Sequence, residues 1–120
     1  SPAALVMMDY TWRLAGVVEE FDRLEWNIRP SHAVSKGAVF RLPTDGKSTA
    51  EVRYSGRGAD LSLGGKKLGR IDGVTRLITN KSGAPMALLG ISDTPQKVTL
   101  RLTGHPARSL TITANQRISL

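Results

Sequence analysis

The side chains able to carry reaction chemistry are few and poorly spaced for it. Histidine occurs only at His32 and His105, each close to a proline in a stretch that reads as loop. A metal centre needs three or four converging donors, and neither imidazole has a second imidazole or paired carboxylates at ligand spacing. Asp60 and Ser62 could be set beside either histidine as a hydrolytic triad, but the chain lacks a Gly-x-Ser-x-Gly elbow that would expose the serine. The run Gly65-Lys66-Lys67 has the look of a phosphate loop, yet that motif needs glycine where Asp60 stands and Ser or Thr where Lys67 stands. A carboxylate at the first position repels phosphate, and the missing hydroxyl leaves magnesium without a ligand. Cysteine is absent, which removes thiol nucleophiles, thiolate zinc sites and disulfides. The expectation is a chain that is not an enzyme and carries neither cofactor nor metal.

Cations are plentiful by contrast. Arg53, Arg57, Lys66, Lys67 and Arg70 are the candidate anion-binding residues, and Arg76 would join them along a phosphate backbone. Arg53-Tyr54-Ser55-Gly56-Arg57 and Asp60-Leu61-Ser62-Leu63-Gly64-Gly65 resemble the RxxxR and DxSxxG motifs of PilZ domains, which bind cyclic di-GMP. In that family a strand of a couple of dozen residues separates the motifs, whereas only Gly58 and Ala59 intervene here, so the two halves could not close on one ligand. Nucleic acid is disfavoured because Tyr54 is the only ring interleaved with these charges, too few for a stacking platform.

The elements that must position these residues are short and extended. Ala38–Leu42, Ser48–Tyr54, Ala59–Leu63, Leu68–Ile71 and Val74–Thr79 alternate apolar with polar residues or are rich in β-branched ones. Gly, Pro, Asn and Asp punctuate them at Pro43-Thr44-Asp45-Gly46, Gly64-Gly65 and Asn80-Lys81-Ser82-Gly83. Ala84–Ile91 is almost wholly apolar and reads as a strand covered on both faces. Val98, Leu100 and Leu102 alternate next, then Leu110, Ile112 and Ala114, with Gln116–Leu120 as an edge. Strand signals this frequent predict an all-β chain folded as a sandwich or a small barrel.

With 120 residues the chain has room for one domain and one core. No apolar run approaches the ~20 residues that span a bilayer as a helix. The opening Ser-Pro-Ala-Ala-Leu-Val-Met-Met has neither initiator methionine nor a basic signal region, as expected of a processed or excised chain. Charge is uneven: residues 1–30 hold three arginines against five acids, a net of −2, which leaves +9 of the total +7 on the rest. An acidic head and a basic body favour head-to-tail encounter of like chains, or contact of the body with a polyanion.

The stretch Asp9–Ile28 fits two periods. Tyr10, Trp12, Leu14, Gly16 and Val18 alternate as in a strand, while Leu14, Val17, Val18, Phe21 and Leu24 form a helical stripe. Gly16 costs a helix about 1 kcal/mol, which favours the strand. The order of an alternating leader, an acidic-aromatic turn at Glu20-Phe21-Asp22 and Leu24-Glu25-Trp26-Asn27-Ile28 resembles the start of adhesive fimbrial subunits of the chaperone/usher type, the cysteine-free FaeG-like pilins in particular. That resemblance implies an immunoglobulin-like sandwich, incomplete and completed by a strand from a neighbour. It further implies a leader at 1–18 ahead of a body at 19–120, with Tyr10, Trp12, Leu14, Gly16 and Val18 as the donor-strand or subunit interface. The implied partners are copies of itself or related pilus subunits, a periplasmic chaperone and usher, and a host receptor. The implied location is an extracellular fimbrium reached through the periplasm. Two alternatives stand beside it: a monomeric basic β-domain that binds a polyanion, nucleic acid or a cyclic dinucleotide, and a type IV pilin-like subunit with residues 13–26 as a helix.

Overall fold

A computed structural model of the chain describes residues 14–32 and 37–120. The strands read from the sequence beyond Ala38 form as expected, except that the Ala84–Ile91 stretch, expected to be covered on both faces, leaves Met86 44% exposed. A first hairpin joins β1 (Val17–Glu19) to β2 (Leu24–Ile28) through the turn that carries Phe21. A meander follows, β3 (Val39–Pro43), β4 (Thr49–Ser55), β5 (Gly58–Leu63) and β6 (Lys66–Asp72). Then come β7 (Thr75–Thr79), β8 (Pro85–Leu89), β9 (Gln96–Leu102), β10 (Arg108–Ile112) and β11 (Arg117–Ser119).

These strands build two antiparallel sheets packed face to face, an all-β sandwich. One has the order β1-β2-β7-β8-β11 and the other β10-β9-β6-β5-β4-β3. The chain changes sheet between β2 and β3, β6 and β7, β8 and β9, and β10 and β11. Between the sheets the inward residues of every strand meet in one core. Cross-strand register places Trp26 beside Leu77 and Leu77 beside Leu88 in one sheet. In the other, Tyr54, Ala59, Ile71, Leu100 and Arg108 form one row. Trp26 is wholly buried, and its indole N–H donates to the Thr79 hydroxyl at 3.0 Å, so the one polar atom of the largest core side chain is satisfied.

Residues 17–19 and 24–28 are strands, so the alternative of a helix over 13–26 is corrected. The helix would have set Phe21 in its apolar stripe, whereas the strand pairing of Val17 with Trp26 buries both of these and leaves Phe21 98% exposed in the turn. The alternating leader also breaks before it reaches β1. Leu14 and Ala15 are helical and Gly16 is a bend, after which Val17, not Val18, turns into the core.

The bulge between β5 and β6 fixes a glycine. Leu61 pairs with Gly69 but Ser62 pairs with Lys67, which leaves Leu68 as the extra residue. Gly69 has φ 142°, and a Cβ there would lie 2.4 Å from the Arg101 carbonyl oxygen, closer than any side chain tolerates.

Candidate strand-docking groove

The two sheets meet unequally at their two margins. At one margin β1 touches β3 and β4 across the core. At the other, β11 is only three residues long and β10 pairs with β9 alone, so one edge of β10 carries unmatched backbone donors and acceptors. Between these edges lies a cleft of about 270 Å3 lined by Pro85, Leu100, Leu102, His105, Pro106, Ala107, Arg108 and Leu120. Alternation explains the lining. Leu100 and Leu102 are core-facing residues of β9, 3% and 7% exposed, and only Arg108 lies beyond Leu100 in the row. Leu120 is held over the cleft by its backbone N–H, which donates to the Met86 carbonyl at 3.1 Å, yet its side chain remains 39% exposed.

The rim is basic. Arg108 occupies a core-facing position at the edge, a placement that discourages a purely apolar strand and suits one bearing a carboxylate. An adjoining cleft of about 280 Å3 shares Pro85, Leu102 and His105 with the first and is flanked by Lys66 and Lys67.

Of the five residues expected to form the donor strand, Tyr10 and Trp12 lie outside the described residues. The other three are engaged within their own domain. The Leu14 carbonyl accepts from Arg29 Nε at 2.9 Å, the Gly16 carbonyl accepts from the Asn27 N–H at 2.8 Å, and Val18 pairs with Glu25. Ala15 between them is fully buried, and its carbonyl accepts from the Tyr54 hydroxyl at 2.9 Å. A segment free to leave the domain therefore ends before Leu14.

The five candidate anion-binding residues do not converge. Arg57 sits in the β4–β5 turn and Lys66 and Lys67 open β6 at the other end of that hairpin, a strand length of ~20 Å apart. Arg53 lies on the outer face within 3.5 Å of Glu51. Arg70 is saturated: it reaches Asp60 at 3.2 Å, Asp72 at 3.1 Å, and both the hydroxyl and the carbonyl of Ser55. Arg101 adds a bond to the second Asp72 oxygen at 2.9 Å. This is a lattice of alternating charge across the outer face of the sheet, and its cations are already spent on carboxylates. No group of three or more His, Cys, Asp or Glu placed to hold a metal occurs among the described residues.

The groove has no local signature in the sequence. The alternation of Leu100 and Leu102 marks them as core, which they are, and nothing near them signals that the neighbouring strand ends the sheet. Comparison with protein-family models, with curated proteins and with solved structures gives no match.

Proposed function

We propose that this chain is a structural or adhesive subunit of a bacterial surface fimbria, joined to its neighbours by strand addition at the β10–β11 margin. The observation that carries the reading is the apolar cleft beside an unpaired strand edge: the edge can offer hydrogen bonds to an added strand, and Leu100, Leu102 and Leu120 can receive its alternate side chains. The incoming segment is the stretch ahead of Leu14 in the next copy, in which Tyr10 and Trp12 keep the strand period and Asp9 supplies a carboxylate for the basic rim. Leu14 lies at the β1 margin and the cleft at the β11 margin, opposite edges of one sheet. A contact between unlike patches on opposite edges is head-to-tail, and its repetition gives a filament where the rotation between copies does not close a ring. Thirteen residues extend to at most ~45 Å, enough to cross to a neighbour.

Two variants test this. Removal of residues 1–13 leaves Ala15 and Val17 in the core and should give a chain that stays monomeric in sedimentation and binds a peptide of residues 1–13. Ala107→Glu, at the cleft wall, should retain the fold and lose the peptide. Assembly of the truncated chain at the rate of the full one, or equal peptide binding by Ala107→Glu, would sink the proposal.

A further inference from the structure

Among the described residues, two half-buried arginines have no acid to meet. Arg23, Arg41, Arg53, Arg70 and Arg101 each lie within 4 Å of a carboxylate. Arg29 and Arg76 have none among the described residues, and unlike Arg57, Arg108 and Arg117, which also have none, they are half-buried. Each is nevertheless held in place through Nε: Arg29 donates to the Leu14 carbonyl at 2.9 Å, and Arg76 donates to Oδ1 of Asn27, itself 1% exposed. A guanidinium has five N–H donors in a planar fork, so one bond at Nε orients the group and leaves its terminal amino groups uncommitted.

Both arginines face the same concavity, of about 370 Å3, whose other walls are Leu89, Gly90, Ile91 and Asn115. The fold brings them there by register. Arg76 stands directly across from Asn27 on β2 and from Leu89 on β8. Arg29 follows Asn27 by two residues, so the two arginines are diagonal neighbours with backbones ~7–8 Å apart. The far wall is rigid. The Gly90 N–H donates to the Gln116 carbonyl at 2.9 Å and the Asn115 N–H donates back to the Gly90 carbonyl at 3.1 Å. A Cβ on Gly90 would fall 1.8 Å from the Thr113 carbonyl oxygen, so only glycine lets the β10–β11 turn close to this distance. Asn115 takes φ 61° in that turn.

Two fixed like charges in one hollow repel each other, and an anion between them turns that repulsion into attraction. The fork geometry favours a planar carboxylate taken by two parallel N–H donors. The volume exceeds what a bare oxyanion fills, since a water accounts for only ~30 Å3, and falls at the small end of small-molecule sites. Leu89 and Ile91 offer an apolar wall for a carbon ring, and the Asn115 amide can both donate to and accept from a hydroxyl. We propose that Arg29 and Arg76 form a binding site for a compact carboxylate of the size and polarity of a single acidic sugar. The site lies at the opposite end of β10 and β11 from the strand-docking cleft and does not depend on that cleft being filled.

The full chain, labelled with nitrogen-15, would be titrated with glucuronate, with inorganic phosphate and with neutral methyl glucoside. The Nε–H signals of Arg29 and Arg76 and the backbone amides of Gly90 and Asn115 report the site. Glucuronate should shift these signals saturably and methyl glucoside should not. Arg29→Gln and Arg76→Gln should each weaken the affinity at least tenfold, while Arg57→Gln leaves it unchanged; Arg29→Gln carries the test if loss of the Asn27 bond unfolds the other. Saturation by phosphate without saturation by glucuronate would overturn the carboxylate assignment. Shifts that never saturate, or that are equal at Arg53 and Arg57, would overturn the site itself.

Discussion

Replacing Tyr54 by phenylalanine removes one oxygen from the point where three segments of the chain are tied together. The Tyr54 hydroxyl accepts from the Arg29 N–H at 2.9 Å and lies 2.9 Å from the Ala15 carbonyl and 3.0 Å from the Asn27 carbonyl, with the residue 4% exposed. A hydroxyl has one proton, so at any instant it serves one of the two carbonyls, and its loss strands one donor and one acceptor. An unsatisfied buried group costs about 1–3 kcal/mol. The Arg29 N–H is only partly buried and can recover some of this from water, which brings the sum to about 2–3 kcal/mol. The ring stays, and with it the edge-on contact with Phe40 at a centroid distance of 6.0 Å, so no cavity term adds. Urea unfolding of Tyr54→Phe should show the midpoint lowered at unchanged slope, and the melting temperature should fall by roughly 6–15 °C. Amide exchange should accelerate first at the Asn27 N–H, whose acceptor is the Gly16 carbonyl beside the released Ala15. A loss below ~0.5 kcal/mol, within the range of an ordinary surface change, would refute the idea that this hydroxyl fastens residues 14–16 to the core.

Glu19 should make stability depend on acid. Its carboxyl is held below its ordinary value, chiefly by the Lys81 ammonium at 2.6 Å and then by the Asp45 backbone N–H at 3.0 Å. A depressed folded value means the contribution is complete above the ordinary glutamate range and is lost as pH falls through and below it. The urea midpoint should therefore slope downward in that window, and Glu19→Gln should flatten the slope; identical slopes in the two proteins would exclude Glu19 as the source. Gly69→Ala should cost at least ~2 kcal/mol in equilibrium unfolding, since it combines a positive φ with a backbone collision at 2.4 Å, and a near-neutral result would mean that the bulge relaxes freely. Gly56→Ala is the fitting comparison: it too has positive φ, 57°, but its Cβ would meet nothing nearer than Arg70 Nη2 at 3.6 Å, so it should cost about 1 kcal/mol of conformational strain alone.

Most strand positions are legible in the sequence because a half-buried strand must alternate, and the alternation is a local property of the chain. Ala50, Val52 and Tyr54 turn inward on β4 and Val98, Leu100 and Leu102 on β9, as their spacing requires. The glycine and proline punctuation likewise marks turns where the backbone needs a positive φ or a fixed one. Of the leader, only Leu14 onward lies among the described residues, and there the phase that buries Val17 is chosen by pairing with Trp26, itself placed by Leu77.

Alternation says which side chains point inward and is silent on which sheet a strand joins. Hydrogen-bond pairing between distant strands is settled when the whole core closes, by which faces can be covered at once. Only the tertiary structure therefore sets β10 at an edge, with Leu100 and Leu102 beside an open cleft, and spends Arg70 on two carboxylates from its own sheet. The same closure brings Arg76 against Asn27, 49 positions away, and sets Arg29 beside it. In the sequence these are two ordinary basic residues; their lack of acidic partners among the described residues is a property of the folded surface, because it depends on which carboxylates the register has assigned to other cations.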